Sequence, residues 1–278
     1  LGTTDGKTLI ERRTLSGYSG YNGIVTADFE FKNLLENGKE YLLKIILKTE
    51  SYDNVSYFTR IIKLDTPNVQ RKLSYINDFF FFFRTDENLK KVTAKLETNS
   101  TGDNTNLGRV NIHSKLSQVG FSDLVPKLTT DRYFTITEID DTKASVSVTY
   151  KAETMDESGS FSYNIKEYYR IYQPDETVTY VYNFDRFMNQ IFNPKIGISG
   201  RGEVYLGIRS DTDITMKNSS NGNISAFVLD GNLWSFSAVK DNFTRVFSFE
   251  NDASDGFREE YQAHDIKILN VYNNNEKK

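Results

Sequence analysis

Two short stretches of acidic and hydroxyl residues have the side-chain chemistry of a calcium loop. Asp211, Asp213 and Thr215 place oxygen atoms at alternate positions, and a second stretch does the same with Asp252, Ser254, Asp255 and Gly256. Carboxylate and hydroxyl oxygens suit Ca²⁺, but neither stretch completes the EF-hand pattern or carries its terminal glutamate. Turns use the same residue types. The sequence therefore predicts no metal site and no cofactor.

Few other groups could act as acids, bases or nucleophiles. The neighbours Asp140 and Asp141 would point apart in a hairpin turn, whereas the two carboxylates of a glycosidase face each other across the substrate. The histidines, His113 within a predicted strand and His264 before another, are interpreted as structural or surface residues. The chain has no cysteine, and no serine stands in a nucleophile-elbow motif. No catalytic residue is predicted.

Aromatic side chains supply the candidate interaction surface. Five consecutive phenylalanines, residues 79–83, would put rings on every side of a helix of which one side faces a sheet. They indicate either a lipid or partner surface, or a helix whose other side is covered by a second element such as the first β unit. The residues assigned to an interaction surface are Phe79, Phe81, Phe82 and Trp234.

Tyrosines recur along the predicted strands and have two interpretations. Their rings can stack on sugars, as a glycan-binding protein would need, and tyrosine is also a common half-buried strand residue. The set comprises Tyr163, Tyr168, Tyr169, Tyr172, Tyr180 and Tyr182.

Composition excludes some classes of protein. The 278 residues are 38% hydrophobic and 14% aromatic, which is enough for two or three domains with real cores. A formal net charge of −4 offers no basic stripe for phosphates, so nucleic acid is excluded as a partner. The longest apolar run is far shorter than the roughly 20 residues of a membrane helix, so no span is expected here. Because the chain begins with Leu1, any signal or anchor is expected upstream.

The elements that must position these side chains centre on residues 132–184, which predict an antiparallel β-meander. Apolar residues alternate with polar ones, as half-buried strands require. They are Ala144, Val146, Val148, Tyr150 and Ala152 in one strand, Phe161, Tyr163, Ile165, Tyr169 and Ile171 in the next, and Val178, Tyr180, Tyr182 and Phe184 in the third. Residues 133–139 predict a fourth strand.

Residues 1–65 predict a small N-terminal β unit with strands at 24–31, 41–48 and 55–64, of which the second is apolar on both faces, as a central strand would be. Residues 66–195 predict a helix packed on the meander. Thr66-Pro67 is a helix-start signal, and an apolar stripe follows at Val69, Leu73, Ile76, Phe80 and Phe83. A second helix over 86–96 and a strand over 109–116 complete an α+β, mostly β, chain.

Residues 196–278 differ in sequence pattern from the preceding part of the chain. They predict a truncated segment like one blade of a β-propeller. Short strands are expected at 203–208, 224–229, 233–237 and 245–249, with Asp230-Gly231 as a hairpin turn and 266–272 as the first strand of a next blade. A single blade needs cover for its apolar faces. We expect it either to dock on residues 109–192 or to self-associate through its edge.

Several of these runs carry a resemblance. Residues 226–235 (AFVLDGNLWS), 244–249 (TRVFSF) and 264–269 (HDIKIL) are similar to the opening of the β-propeller in large uncharacterised membrane-anchored envelope proteins of clostridial (Lachnospiraceae-type) bacteria. The region before that propeller resembles residues 57–62 (YFTRII), 110–114 (VNIHS) and 189–194 (NQIFNP). The resemblance implies an N-terminal membrane anchor and an extracytoplasmic location, and it supplies no catalytic residues.

The function expected from these observations is a non-enzymatic extracytoplasmic interaction region, for sensing or scaffolding, of a membrane-anchored envelope protein. Its partner would be an envelope protein or a cell-wall glycan. The alternative is a glycan-binding or glycan-hydrolysing enzyme whose carboxylates no motif marks. Two facing carboxylates about 5 to 9.5 Å apart would favour hydrolysis.

Overall fold

The chain is described by a computed structural model over residues 1–21, 24–32, 35–49, 53–65, 68–81, 92–156, 159–195, 204–207, 214–249 and 265–272. These residues are mostly β, arranged in antiparallel sheets of which none closes on itself, with two helices. The β-rich α+β class predicted from the sequence is confirmed.

Two compact units divide the chain, and they interleave along the sequence. Unit 1 comprises Leu1–Phe81, Ile136–Val146 and Tyr169–Tyr182. Unit 2 comprises Phe82–Thr135, Ser147–Tyr168 and Asn183–Lys278. The long strands of the meander therefore contribute residues to both units. The three contiguous domains, with boundaries at 65/66 and 195/196, stay a prediction.

The N-terminal part of unit 1 forms a three-stranded sheet and a separate ribbon. The sheet has the order β1-β4-β5, with β1 at Gly2–Thr3, β4 at Glu40–Leu47 and β5 at Val55–Ile62. The ribbon pairs β2, Ser19–Tyr21, with β3, Ile24–Thr26. The predicted strands over 41–48 and 55–64 are confirmed. The strand predicted over 24–31 is shorter and belongs to the ribbon.

Burial of β4 differs from the expectation that both of its faces are covered. Tyr41 is 1% exposed, but Ile45 and Leu47 near the other end are 41% and 46% exposed. Strand β1 is short and pairs with β4 only at Tyr41 and Leu42. The far half of β4 therefore has a neighbouring strand on one edge only.

Helix α1, Val69–Phe81, buries a different stripe from the predicted one. Lys72, Ile76 and Phe79 are fully buried, whereas Val69 and Leu73 are half-buried. Lys72 can occupy the interior because its ammonium donates to the backbone oxygens of Asp140 and Asp141, at 2.6 and 2.9 Å, while its aliphatic stem packs like an apolar side chain. The buried stripe shares Ile76 with the predicted one but includes Lys72, which sequence periodicity counts as polar.

The expected packing of the helix against the meander is visible at Phe79. Its ring meets that of Tyr169 edge-on, with the ring centroids 5.7 Å apart. Tyr169 lies on the predicted inward face of its strand, so α1 contacts the buried face of the meander within unit 1. The cap predicted at Thr66-Pro67 and residues 86–91 of the second predicted helix lie outside the described residues.

The meander belongs to a six-stranded sheet of order β6-β11-β10-β9-β7, with β8 paired to β9. Its strands are β6 (Arg109–Asn111), β7 (Lys127–Leu128), β8 (Tyr133–Ile139), β9 (Lys143–Asp156), β10 (Gly159–Tyr172) and β11 (Tyr180–Gln190). Even positions of β9 and odd positions of β10 face the interior, as predicted. The strand predicted over 109–116 stops at Asn111, because Asn111 Oδ1 accepts the His113 amide in a turn, and a short helix, α2 at Leu116–Val119, follows.

Strand β11 changes phase part-way along its length. Val181 is buried, Tyr182 and Asn183 are not, and the buried positions after them are Phe184, Arg186 and Met188. The prediction that Tyr180, Tyr182 and Phe184 alternate as one inward set is wrong, because two successive residues, Tyr182 and Asn183, lie outside the interior. Tyr180 and Tyr182 therefore lie exposed.

The C-terminal part of unit 2 is a four-stranded sheet, with β12 at Met216–Asn218, β13 at Ile224–Leu229, β14 at Asn232–Ser237 and β15 at Asn242–Ser248, paired in that order. The hairpin at Asp230-Gly231 is confirmed, with φ of 49° and 72°. The first strand is β12, not the predicted 203–208, of which 205–207 form no strand, and 266–272 also form none.

One face of this four-stranded sheet is covered by Phe192, which follows β11. Its ring centroid lies 5.9 Å from that of Phe227, 5.1 Å from that of Trp234 and 5.0 Å from that of Phe243. Phe247 on β15 is 48% exposed. Phe192 thus covers one group of rings of this sheet. It belongs to residues 109–192, which were expected to supply such cover.

Candidate functional site

Three tyrosines form a stacked group on the outer face of the meander in unit 1. The rings of Tyr180 and Tyr182 lie 6.0 and 5.5 Å from that of Tyr172 between centroids, with interplanar angles of 23° and 25°. Tyr180 and Tyr182 are 49% and 52% exposed, and Tyr172 is half-buried. The arrangement therefore offers aromatic surface to water in a fixed geometry.

A charged pair, Arg170 on β10 and Glu138 on β8, lies near these rings in the same unit. Arg170, two residues before Tyr172, shares its face because side chains alternate along a strand. Its Nη2 is 3.7 Å from Glu138 Oε2 on β8, and the two side chains are 46% and 50% exposed. Glu138 also accepts a hydrogen bond from Ser145 Oγ at 3.1 Å. We call this set of five side chains the tyrosine face: Glu138, Arg170, Tyr172, Tyr180 and Tyr182.

Unit 2 contains a buried charge cluster on β9 and β10. Arg132 Nη2 lies 3.0 Å from Glu167 Oε2, with both side chains under 5% exposed at 4% and 2%. Tyr150 Oη donates to Glu167 Oε1 at 2.8 Å. The Arg132 guanidinium lies 5.3 Å from the ring centre of Phe134 and 5.5 Å from that of Tyr150. Both carboxylate oxygens of Glu167 accept a hydrogen bond, so we interpret this cluster as structural.

A second buried arginine, Arg186, binds the C-terminal end of helix α2 in the same unit. Arg186 donates from Nη1 to the Val119 oxygen at 2.6 Å and from Nη2 to the Gln118 oxygen at 2.7 Å. Its guanidinium lies 3.6 Å from the ring centre of Phe121. The last carbonyls of a helix have no intrahelical partner. At the end of α2, Arg186 donates to those of Gln118 and Val119, and the Gln118 oxygen also accepts the Phe121 amide.

Neither buried cluster was predicted from the sequence, although Glu167 gives a signal there. Glu167 occupies an odd position between Ile165 and Tyr169, in the phase that the rest of β10 uses for buried residues. A charge in that phase predicts a buried ionic partner. Arg186 has the same phase as Phe184, two residues before it, but it lies beyond the residues over which the sequence predicted a strand.

Of the predicted phenylalanine and tryptophan surface, the structure describes the side chains of Phe79 and Trp234. Phe79 is fully buried against Tyr169 and offers no exposed area. The side chain of Phe81 and all of Phe82 lie outside the described residues. Trp234 is half-buried and packs against Phe192. An interaction surface made of these four residues stays a prediction.

Among the polar candidate residues, Asp140 and His113 lie in turns. Asp140 Oδ1 accepts the amides of Thr142 at 2.7 Å and Lys143 at 2.6 Å. Burial raises the pKa of this carboxyl, but the hydrogen bonds from Lys143 and Thr142 outweigh it, so that its pKa is lowered. His113 Nδ1 lies 3.0 Å from Asn99 Nδ2 and 3.1 Å from the Glu97 oxygen. His264 and the calcium-type residues other than Thr215 lie outside the described residues.

Stability is expected to fall above about pH 10, because the half-buried Tyr75 and the buried Tyr150 must stay neutral in the folded chain. Burial raises the pKa of Tyr75 from 10.0 to about 12. Burial, followed by the Glu167 charge, raises that of Tyr150, with Arg186 and Arg132 opposing. A folded pKa above the unfolded one stabilises fully below pH 10 and is lost as pH rises through the folded value.

One buried lysine opposes that loss over part of the range. Burial lowers the pKa of Lys72, partly offset by the charges of Asp140 and Asp141, so stability from this group rises with pH until its unfolded value of 10.5. Urea midpoints measured across the alkaline range should therefore fall most steeply above about pH 10.5. Tyr75→Phe should make that fall shallower, and an unchanged slope in this variant would contradict the assignment.

Comparison with known proteins found no matching family model, and no curated protein or solved structure gave a significant match. No helix of the described residues is long and apolar enough to cross a membrane. In the same part of the chain, no three His, Asp or Glu side chains are grouped so that they could hold a metal ion. The resemblance to envelope proteins stays a prediction.

Proposed function

We propose that this chain is a non-enzymatic interaction region of a bacterial envelope protein and that it binds a neutral cell-wall glycan through the tyrosine face. The single observation that carries the proposal is the stacked group Tyr172, Tyr180 and Tyr182, which exposes about half of two rings to water. Tyrosine combines an apolar ring with a hydroxyl, so one side chain can contact both the C–H groups and the hydroxyls of a sugar.

The position of these rings favours binding because little ordering is needed. They stand on paired strands and rest against one another, so their rotamers are restricted before any ligand arrives. A side chain immobilised on binding costs about 0.5 to 1.5 kcal/mol. A stacked group avoids part of that cost.

The charges of the tyrosine face favour a neutral ligand. Arg170 and Glu138 carry opposite charges 3.7 Å apart, so they cancel at a distance. Close to the surface they still offer guanidinium donors and carboxylate acceptors, which suit sugar hydroxyls. An anionic polymer would gain little from such a balanced pair.

The proposal also covers the place where the protein acts and the fold of its C-terminal sheet. We propose that the chain acts outside the cytoplasm, supported by its resemblance to anchored envelope proteins. We also propose that β12 to β15 form one propeller blade, supported by four short antiparallel strands paired in chain order. Phe247, 48% exposed, would then face a neighbouring blade.

Loss of the tyrosine rings is expected to weaken glycan binding. In calorimetric titration with purified cell-wall polysaccharide, Tyr180→Ala and Tyr182→Ala should each lower affinity about tenfold, as for residues that contribute roughly 1.4 kcal/mol to an interface. Tyr133→Ala is the matched control, because Tyr133 is 68% exposed but lies in unit 2. Its affinity should equal that of the unchanged protein.

Two results would count against the proposal. Binding that is equally strong in the Tyr180, Tyr182 and Tyr133 variants would show that the glycan binds elsewhere, and absence of binding by the unchanged protein would reject the glycan as ligand. Release of reducing ends from the same polysaccharide would favour the hydrolase alternative. Thermal melting of each variant verifies that the fold is retained.

A further inference from the structure

Two polar side chains flank the rings of the tyrosine face from the opposite side of the meander. Gln173 directly follows Tyr172, the last residue of β10, and Thr179 directly precedes Tyr180, the first residue of β11. Successive side chains of an extended chain point to opposite faces. Accordingly, Gln173 is 3% exposed and Thr179 is half-buried, whereas Tyr180 is 49% exposed. Both polar side chains therefore lie behind the rings, towards the interior of unit 1.

A hydrogen bond joins these two polar side chains across the loop. Gln173 Nε2 donates to Thr179 Oγ1 at 2.9 Å. It connects the residue after Tyr172 with the residue before Tyr180, and the two rings lie 6.0 Å apart between centroids at an interplanar angle of 23°. This hydrogen bond on the inner side thus constrains the spacing of the backbone that carries the rings on the outer side.

Gln173 is itself held by two other elements of unit 1. Arg71 on α1 donates from Nε to Gln173 Oε1 at 3.3 Å. The backbone amide of Gln173 donates to the oxygen of Thr142, in the turn between β8 and β9, at 2.6 Å. A buried polar group that loses its partner keeps its desolvation cost. The side chain of Gln173 therefore has one favoured orientation, with Nε2 directed at Thr179.

We infer that Gln173 is a positioning residue of the tyrosine face, which holds Tyr172 and Tyr180 in their stacked arrangement through its hydrogen bond to Thr179. Rings that are already ordered lose less freedom when a ligand binds. Loss of this hydrogen bond should therefore weaken glycan binding, although neither Gln173 nor Thr179 lies on the face that carries the rings. The effect on affinity rests on the function proposed above, whereas the effect on the rings does not.

Two substitutions of Thr179 test the inference. Thr179→Val removes the hydroxyl that accepts from Gln173 and keeps a branched side chain of similar size, whereas Thr179→Ser keeps the hydroxyl. In protein labelled with fluorotyrosine, the fluorine resonance of Tyr180 is identified by its absence from the Tyr180→Phe variant. It should shift in Thr179→Val and stay in place in Thr179→Ser. In calorimetric titration with the cell-wall polysaccharide, Thr179→Val should lower affinity at least about threefold, and Thr179→Ser should match the unchanged chain.

The same loop supplies the matched control. Thr177 Oγ1 donates to Asp175 Oδ1 at 2.7 Å, outside the connection between Gln173 and Thr179. Thr177→Val therefore makes the same chemical change two residues away and should leave both the resonance and the affinity unchanged. Arg71→Leu is a second probe at a side chain that is 28% exposed. It removes the donor to Gln173 Oε1 and should move the Tyr180 resonance in the same direction as Thr179→Val.

The ring resonance and the affinity fail in different ways. A Tyr180 resonance that stays in place in both Thr179→Val and Arg71→Leu would overturn the inference, as would an equal shift in Thr179→Val and Thr177→Val. If the unchanged chain does not bind the polysaccharide, the proposed function fails, and the resonance still decides the role of Gln173. A resonance that shifts while the affinity stays equal would confirm the positioning and contradict the stack as the binding site.

Discussion

Replacing Glu167 by alanine is expected to lower the free energy of unfolding by about 3 to 5 kcal/mol. The change leaves the Arg132 guanidinium, 4% exposed, without the carboxylate that neutralises it. It also removes the acceptor of the Tyr150 hydroxyl, 2.8 Å away. A buried charge that loses its partner keeps its full desolvation cost. Chemical denaturation of the variant and the parent gives the difference.

Two further variants separate charge burial from simple truncation. Glu153→Ala removes an exposed carboxylate from the neighbouring strand and should change stability by less than about 0.5 kcal/mol. The double variant Arg132→Met with Glu167→Leu replaces the pair by apolar groups and should recover most of the loss. If Glu167→Ala were as mild as Glu153→Ala, the ion pair would not hold unit 2 together.

Truncation of Phe79 to alanine should cost about 3 to 5 kcal/mol, because its ring is fully buried between α1 and β10. The cavity would remove the edge-on contact with Tyr169 and expose the interior that Ile76 shares. The midpoint of urea unfolding, compared at equal slope, measures the effect.

The control for this change is Phe58→Ala in the same unit. Phe58 is 61% exposed, so its truncation should be nearly neutral. A small effect at Phe79 would mean that the helix is not anchored by this ring, and that the phenylalanine run serves a surface after all.

Periodicity predicted the strands that bury one face along their whole length. In β9 and β10 every second residue faces the interior, so apolar alternation marks both strands correctly. The same reasoning overlooked Glu167, because a pattern that counts apolar residues passes over a charge whose partner is distant in sequence. Arg132 lies 35 residues away from it.

The tyrosine face was predictable only in part. Tyrosines on strands were noted as candidates for sugar stacking, but Tyr169 faces the interior whereas Tyr172 and Tyr182 stack on the outer face. Tyr169 and Tyr172 differ because they occupy odd and even positions of β10, whereas Tyr182 is placed outward by the phase change in β11, and tyrosine suits either side of a sheet. Similarly, Lys72 can be buried because two backbone oxygens of a distant turn accept hydrogen bonds from its ammonium. No local sequence pattern shows this.

The pairing of β6 with β11 has a consequence for the order in which unit 2 assembles. Arg186 is opposite Val110, so this edge joins residues far apart in the chain, whereas each hairpin of the meander joins neighbours. Closing a longer loop costs more chain entropy, which grows with the logarithm of its length, and contacts of high sequence separation slow folding. The hairpins can therefore form early, and β6, with α2 held by Arg186, completes the edge once β11 is in place.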